Sequence, residues 1–171
     1  MQLTSHQQDL FDHKPERLAL TGYRCAMAGY DHGDMSCWDE LWSAYVGDGG
    51  LSFACDIMGS LQYFVRSLRP GLNLGLNYYP RNCRRVCRQE CLVLTLLSSV
   101  QHGDEFVQNH VLERLLGDQH ADHAQQVARA ALQFTDGLTR AQYHLLPVPL
   151  SVIQSIEEHM PCPRFCKTEI H

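Results

Sequence analysis

The stretch LSFACDIMGSLQYFVRSL, residues 51 to 68, decides the fold class. Ala54, Ile57, Met58, Leu61, Phe64, Val65 and Leu68 recur at intervals of three and four, the period that gathers side chains on one face of an α-helix. Gly47-Asp48-Gly49-Gly50 precedes this helix as a flexible turn, and Arg69-Pro70-Gly71 closes it.

The same rhythm extends outward in both directions. Upstream, Pro15 suits a first helical turn, and Leu18, Ala19, Gly22, Tyr23, Ala26, Met27 and Tyr30 make one apolar face, stopped by Gly29 and the run Tyr30 to Asp34. Ser36 with Asp39 can cap a second helix bearing Trp38, Leu41, Trp42 and Tyr45. Downstream, Leu72 to Pro80 reads as a loop or one short extended piece. Asn82 can cap a fourth helix whose run Cys91 to Leu97 is wholly apolar apart from Thr95, the signature of the most buried helix. Gly103-Asp104 and Gly117 delimit a fifth helix. Asp118 opens a sixth, with Ala124, Val127, Ala128, Ala131 and Leu132, ending near Gly137. Pro147 and Pro149 bracket a turn before a short last helix with Val152, Ile153, Ile156 and Met160, stopped by Pro161.

These elements predict an all-α, single-domain bundle of about six or seven mostly antiparallel helices. The expected organisation is a polar N-terminal tail over 1–14, a helical domain over 15–160 and an irregular tail over 161–171. A chain of 171 residues, 44% hydrophobic and 19% charged, has the size and composition of one folded domain. No export signal or membrane-length apolar run is visible, so the expected setting is the cytoplasm, with the eight cysteines as free thiols. Trp38, Trp42 and Tyr45 also leave room for a homo-oligomer.

Charge is distributed unevenly. Between Ile57 and Gln89 there is no Asp or Glu, while Arg66, Arg69, Arg81, Arg84, Arg85 and Arg88 all fall within that span. Eight basic residues then face nineteen acidic ones in the remainder, so a segment of +6 sits in a background of −11. Arginines crowded at the expected helix start oppose the helix macrodipole, by about 0.3 to 1 kcal/mol per charge, which calls for something anionic nearby. The candidates are an acidic face of the same chain, an acidic protein partner, or a small anion held by guanidinium forks and free backbone N–H groups. Tyr63, Tyr78 and Tyr79 interleave with the arginines, but a pI near 6.0 disfavours nucleic acid. The residues expected to meet the ligand or partner are Arg66, Arg69, Tyr79, Arg81, Arg84, Arg85 and Arg88.

Cys83, Cys87 and Cys91 recur every four residues and, on a helix, form a slowly drifting stripe. Together with Cys162 and Cys166 they are the thiols from which a metal site for zinc, copper(I) or an iron–sulfur cluster could be built, although the two-residue gaps of such sites are missing. The plainer reading makes Cys87 and Cys91 core residues. Cys83, near a helix N-terminus and three arginines, is the one placed to be a reactive thiolate. His120 and His123 share a helix face and offer two metal ligands or a general base, against a plainer reading as surface residues. His32, between Asp31 and Asp34, fits simple turn chemistry. Glycine fingerprints for nucleotides, a phosphate-binding loop and a nucleophile elbow are absent. The sequence therefore predicts a non-enzymatic accessory or regulatory protein acting through Arg66–Arg88. A metal or thiol-redox protein, and a metal-dependent helical enzyme using His120 and His123, are its rivals.

Overall fold

A computed structural model describes residues 12–71, 77–117 and 121–159. Among them there are six α-helices and no strand: α1 Lys14–His32, α2 Ser36–Leu68, α3 Arg88–His102, α4 Glu105–Leu116, α5 Ala121–Arg140 and α6 Leu150–His159. None of these helices is long and apolar enough to cross a membrane.

Each boundary has a local cause. Pro15 lies in the first turn of α1, where its missing N–H costs nothing, and Gly33 ends the helix with a φ of 68° that favours glycine. The helix thus runs through Gly29, which the sequence had marked as its stop. At the start of α2 the cap comes from Asp34, not from Ser36: the Asp34 carboxylate accepts the Ser36 backbone N–H at 3.0 Å and its hydroxyl at 2.6 Å. Those bonds, the hydroxyl's foremost, hold the Asp34 carboxyl below its usual range. The expected break at Gly47–Gly50 narrows to one residue, Gly50, with φ 82° and ψ 177°. Helical turns continue on both sides of it. Asp104 caps α4 by accepting the Val107 N–H at 3.0 Å, and Gly117 closes that helix.

α2 packs against α1 and α5, and α3 packs against α4, α5 and α6. Phe64 of α2 and Phe134 of α5 stack with centroids 6.2 Å apart and nearly parallel planes. All residues from Glu90 to Val100 are buried, as the apolar run foretells, and α1 is buried almost as fully from Pro15 to Met27. Two glycines let helices approach closely. A Cβ at Gly22 would collide with the Tyr45 hydroxyl and touch Leu61, and one at Gly137 would meet Ile57 Cδ1 at 3.0 Å.

The linker from α5 to α6 is tied down by polar groups. Gln101 donates to Thr139 Oγ1 at 2.8 Å and to the Tyr143 carbonyl at 2.9 Å, and accepts from Leu145 N at 2.7 Å. Ser98 donates to the Leu146 carbonyl, and the buried Glu16 carboxylate accepts the Leu146 N–H, both at 2.6 Å. These bonds give the linker's backbone groups protein partners.

Two sequence expectations are corrected here. Cys25 and Cys37 form a disulfide joining α1 to α2, with Cα atoms 5.3 Å apart, so the thiols are not all free. Helix α3 begins at Arg88 and not after Asn82, so Cys83 lies in a loop, Cys87 is the residue before the helix, and no three-cysteine helical stripe exists.

Because Tyr45 is fully buried and its hydroxyl donates to the Leu18 carbonyl, it has little room to retreat from a new methyl group. Gly22→Ala is expected to destabilise the fold by about 1 to 3 kcal/mol through overpacking, read as a lower midpoint in urea denaturation.

Candidate functional site

The arginine-rich segment is organised from underneath by a residue far away in sequence. Arg24, on the core side of α1, is 1% exposed and Glu90, in the first turn of α3, is 0% exposed. Arg24 Nε donates to Glu90 Oε1 at 2.6 Å and Nη2 to Oε2 at 3.0 Å, a bidentate ion pair. Its remaining N–H groups reach three carbonyls of the 80–87 loop: Cys83 at 2.6 Å and Pro80 at 3.4 Å from Nη1, and Arg85 at 2.5 Å from Nη2. A guanidinium has five N–H donors, and each of these five contacts accounts for one.

Glu90 is equally committed. Besides Arg24 it accepts the Tyr79 N–H at 2.9 Å and the Cys87 N–H at 2.8 Å. The second bond closes half of a capping box and sets the start of α3, while the first fixes the incoming chain. Gln89 adds a bond from the Asn77 N–H at 2.5 Å, and a turn closes with Cys83 N donating to the Pro80 carbonyl at 2.9 Å. The loop backbone is thus held at both ends and in the middle.

On this frame the arginines divide into two groups. Arg69 pairs with Asp31 at 3.1 Å and lies 5.0 Å from the Tyr30 ring centroid. Arg81 pairs with Glu40, and Arg84 meets Asp12 at 3.1 Å. Acids of the same chain therefore answer part of the +6 segment. The Arg84–Asp12 pair is 71% and 70% exposed, a setting in which an ion pair contributes little. Arg66, Arg85 and Arg88 make no ion pair among the described residues; the first two are exposed and the third is half-buried. Tyr79 is half-buried and enters the site through its backbone bond to Glu90.

The remaining candidates scatter. Cys83 is half-buried in the loop, whereas Cys87 and Cys91 are buried. Burial, reinforced by the nearby Glu90 carboxylate, pushes the Cys87 thiol far up and the Cys91 thiol up to about 12. Both are neutral thiols at physiological pH, matching the reading of these two as core residues. Cys162, Cys166 and His120 lie outside the described residues. His123 places Nε2 at 2.8 Å from the Ser67 carbonyl, so that nitrogen carries the proton and ties α5 to α2. Among the described residues no three His, Cys, Asp or Glu side chains come together as a metal-ligand set.

Sequence reasoning passed over the two residues on which the loop depends. Arg24 stands at helical spacing with Leu20 and Met27, both buried, and Glu90 is the first acid after the acid-free span. Those were the available signals.

Glu90→Gln leaves the Arg24 charge buried without its counter-charge, and a loss of about 3 to 5 kcal/mol in unfolding free energy is expected by urea denaturation. Native-state alkylation followed by mass spectrometry is expected to label Cys55 and Cys83 well before Cys87 and Cys91. Because the Cys91 thiol rises in the folded state from an ordinary value of 9.0 to about 12, its contribution to stability is complete below pH 9.0 and is lost as pH climbs toward 12. A urea midpoint that stays flat over that range contradicts the assignment.

No protein-family model, curated protein sequence or solved structure matches this chain.

Proposed function

We propose that the chain is a non-enzymatic accessory protein that engages an acidic protein partner through its arginine loop, with Arg84, Arg85 and Arg88 as the principal contacts and Arg66 in support. The observation that carries this reading is the anchoring of the 80–87 backbone on Arg24 and Glu90 while the Arg84 and Arg85 side chains stay exposed. A loop already ordered gives up little conformational entropy on binding, which is the cost that most weakens flexible binding segments. Guanidinium groups on such a loop suit bidentate contact with carboxylates. Arg69 and Arg81, paired with Asp31 and Glu40, serve instead to seat the segment on α1 and α2.

The sequence favours a cytoplasmic setting, whereas a disulfide such as Cys25–Cys37 persists in oxidising surroundings. The binding reading needs neither compartment in particular.

A glutamate-rich peptide titrated by calorimetry tests it. Wild-type protein is expected to bind with an affinity that falls as salt rises, and the triple variant Arg84→Gln, Arg85→Gln, Arg88→Gln to bind about tenfold more weakly, three charge contacts, two exposed and one half-buried, having been removed. The variant keeps the Cys83 and Arg85 carbonyls that Arg24 needs, so its circular dichroism is expected to be unchanged. Equal binding by both proteins refutes the proposal, and complete competition by inorganic phosphate alone turns it into a small-anion site.

A further inference from the structure

A second surface lies at the junction of α1 and α2. It is an open groove of about 440 Å³ lined by Tyr30, Met35, Trp38, Asp39, Trp42 and Met58. Gly29 makes this arrangement possible, because a Cβ there would collide with Trp38 Nε1. The Tyr30 and Trp38 rings stand edge to face, 6.5 Å apart with planes at 89°, and form a corner. Trp38 and Trp42 are one helical turn apart on α2 and are both half-buried.

The electrostatics of the rim point to one class of occupant. Asp31 and Glu40 are already matched by Arg69 and Arg81, while the exposed Asp39 carboxylate makes no ion pair among the described residues. Next to the groove, Arg69 lies over the ring of Tyr30 and pairs with Asp31, so a cation is held there by an aromatic face and a carboxylate together. Trp38, Trp42 and Asp39 line the groove together, so aromatic rings and a carboxylate are again present in one place. Indole gives the strongest cation–π attraction of the natural aromatic rings.

We propose that this groove binds the alkylammonium side chain of a basic peptide, a lysine or methylated lysine, with Trp38 and Trp42 against the cationic head and Asp39 as its counter-charge. The open shape suits a side chain carried on an extended peptide more than an engulfed small molecule. Met35 and Met58 supply adaptable apolar contact for the methylene stem. No residue of the 80–87 loop lines the groove.

Trp38 and Trp42 are the only tryptophans in the chain, so intrinsic tryptophan fluorescence reports on the groove alone. The full-length protein is titrated with a short peptide bearing one trimethyllysine, with the same peptide carrying norleucine in its place, and with free choline. A saturable fluorescence change is expected with the trimethyllysine peptide, about tenfold weaker binding with norleucine, and several-fold weaker binding of trimethyllysine to Asp39→Asn. The triple arginine variant is expected to bind the peptide as the wild type does. Equal binding of the norleucine peptide overturns the cation assignment. Choline binding as tight as the peptide overturns the peptide as source, and the absence of a saturable change with any probe overturns the site. Asp39 is exposed and takes part in no core contact, so loss of fold does not confound that variant; Gly29→Ala, which displaces Trp38, is expected to weaken the peptide by an independent route.

Discussion

The buried pair of Arg24 and Glu90 is the interaction on which the rest of the middle of this molecule depends. One guanidinium ties α1 to the start of α3 and to three carbonyls of the loop between them. Taking two charges out of water is costly, and a well-packed apolar pair in the same place would serve stability as well or better. What an apolar pair lacks is direction. Five donors in a fixed plane and a carboxylate that accepts four hydrogen bonds admit one path for the 77–87 backbone, and that path decides which arginines face outward. The pair contributes geometry more than stability.

Much of the fold was legible because it is local. The spacing of Ile57, Leu61, Phe64 and Leu68 reads directly as a buried helical face, and Asp104 and Gly117 mark the ends of α4. Local rules failed where a distant partner intervened. Asn82 is a good cap by type, but the helix waits until Arg88 because Glu90 bonds Cys87 N and Arg24 at once. An acidic face of the same chain was a legible answer to the arginine run, but its residues were not: Asp31, Glu40 and Asp12 meet the arginines from other elements, and no sequence window contains them. Cys25 and Cys37 gave no signal either, since a gap of that size does not say whether two side chains on successive helices point at each other. For Cys87 and Cys91 the ordinary rule that cysteine is a buried hydrophobe was the sound one.

Ion pairs link the two surfaces: Arg69 meets Asp31 beside the Tyr30 ring, and Arg81 meets Glu40. Arg81 belongs to the arginine segment and Glu40 is the neighbour of Asp39 on α2, so their ion pair joins the basic loop to the acidic edge of the aromatic groove. By pairing with each other, Arg81 and Glu40 take themselves out of both surfaces and leave one basic and one acidic.

The Cys25–Cys37 disulfide bears on how the chain reaches this structure. Its two cysteines are separated by 12 positions, whereas Cys83, Cys87 and Cys91 follow much later in the sequence. Closing a loop roughly five times longer costs about 1.5 kcal/mol more in chain entropy, so in an unfolded chain Cys25 meets Cys37 roughly ten times as often as it meets Cys87. The short separation acts as a statistical filter on oxidation. It favours Cys37 over those distant cysteines as the partner of Cys25.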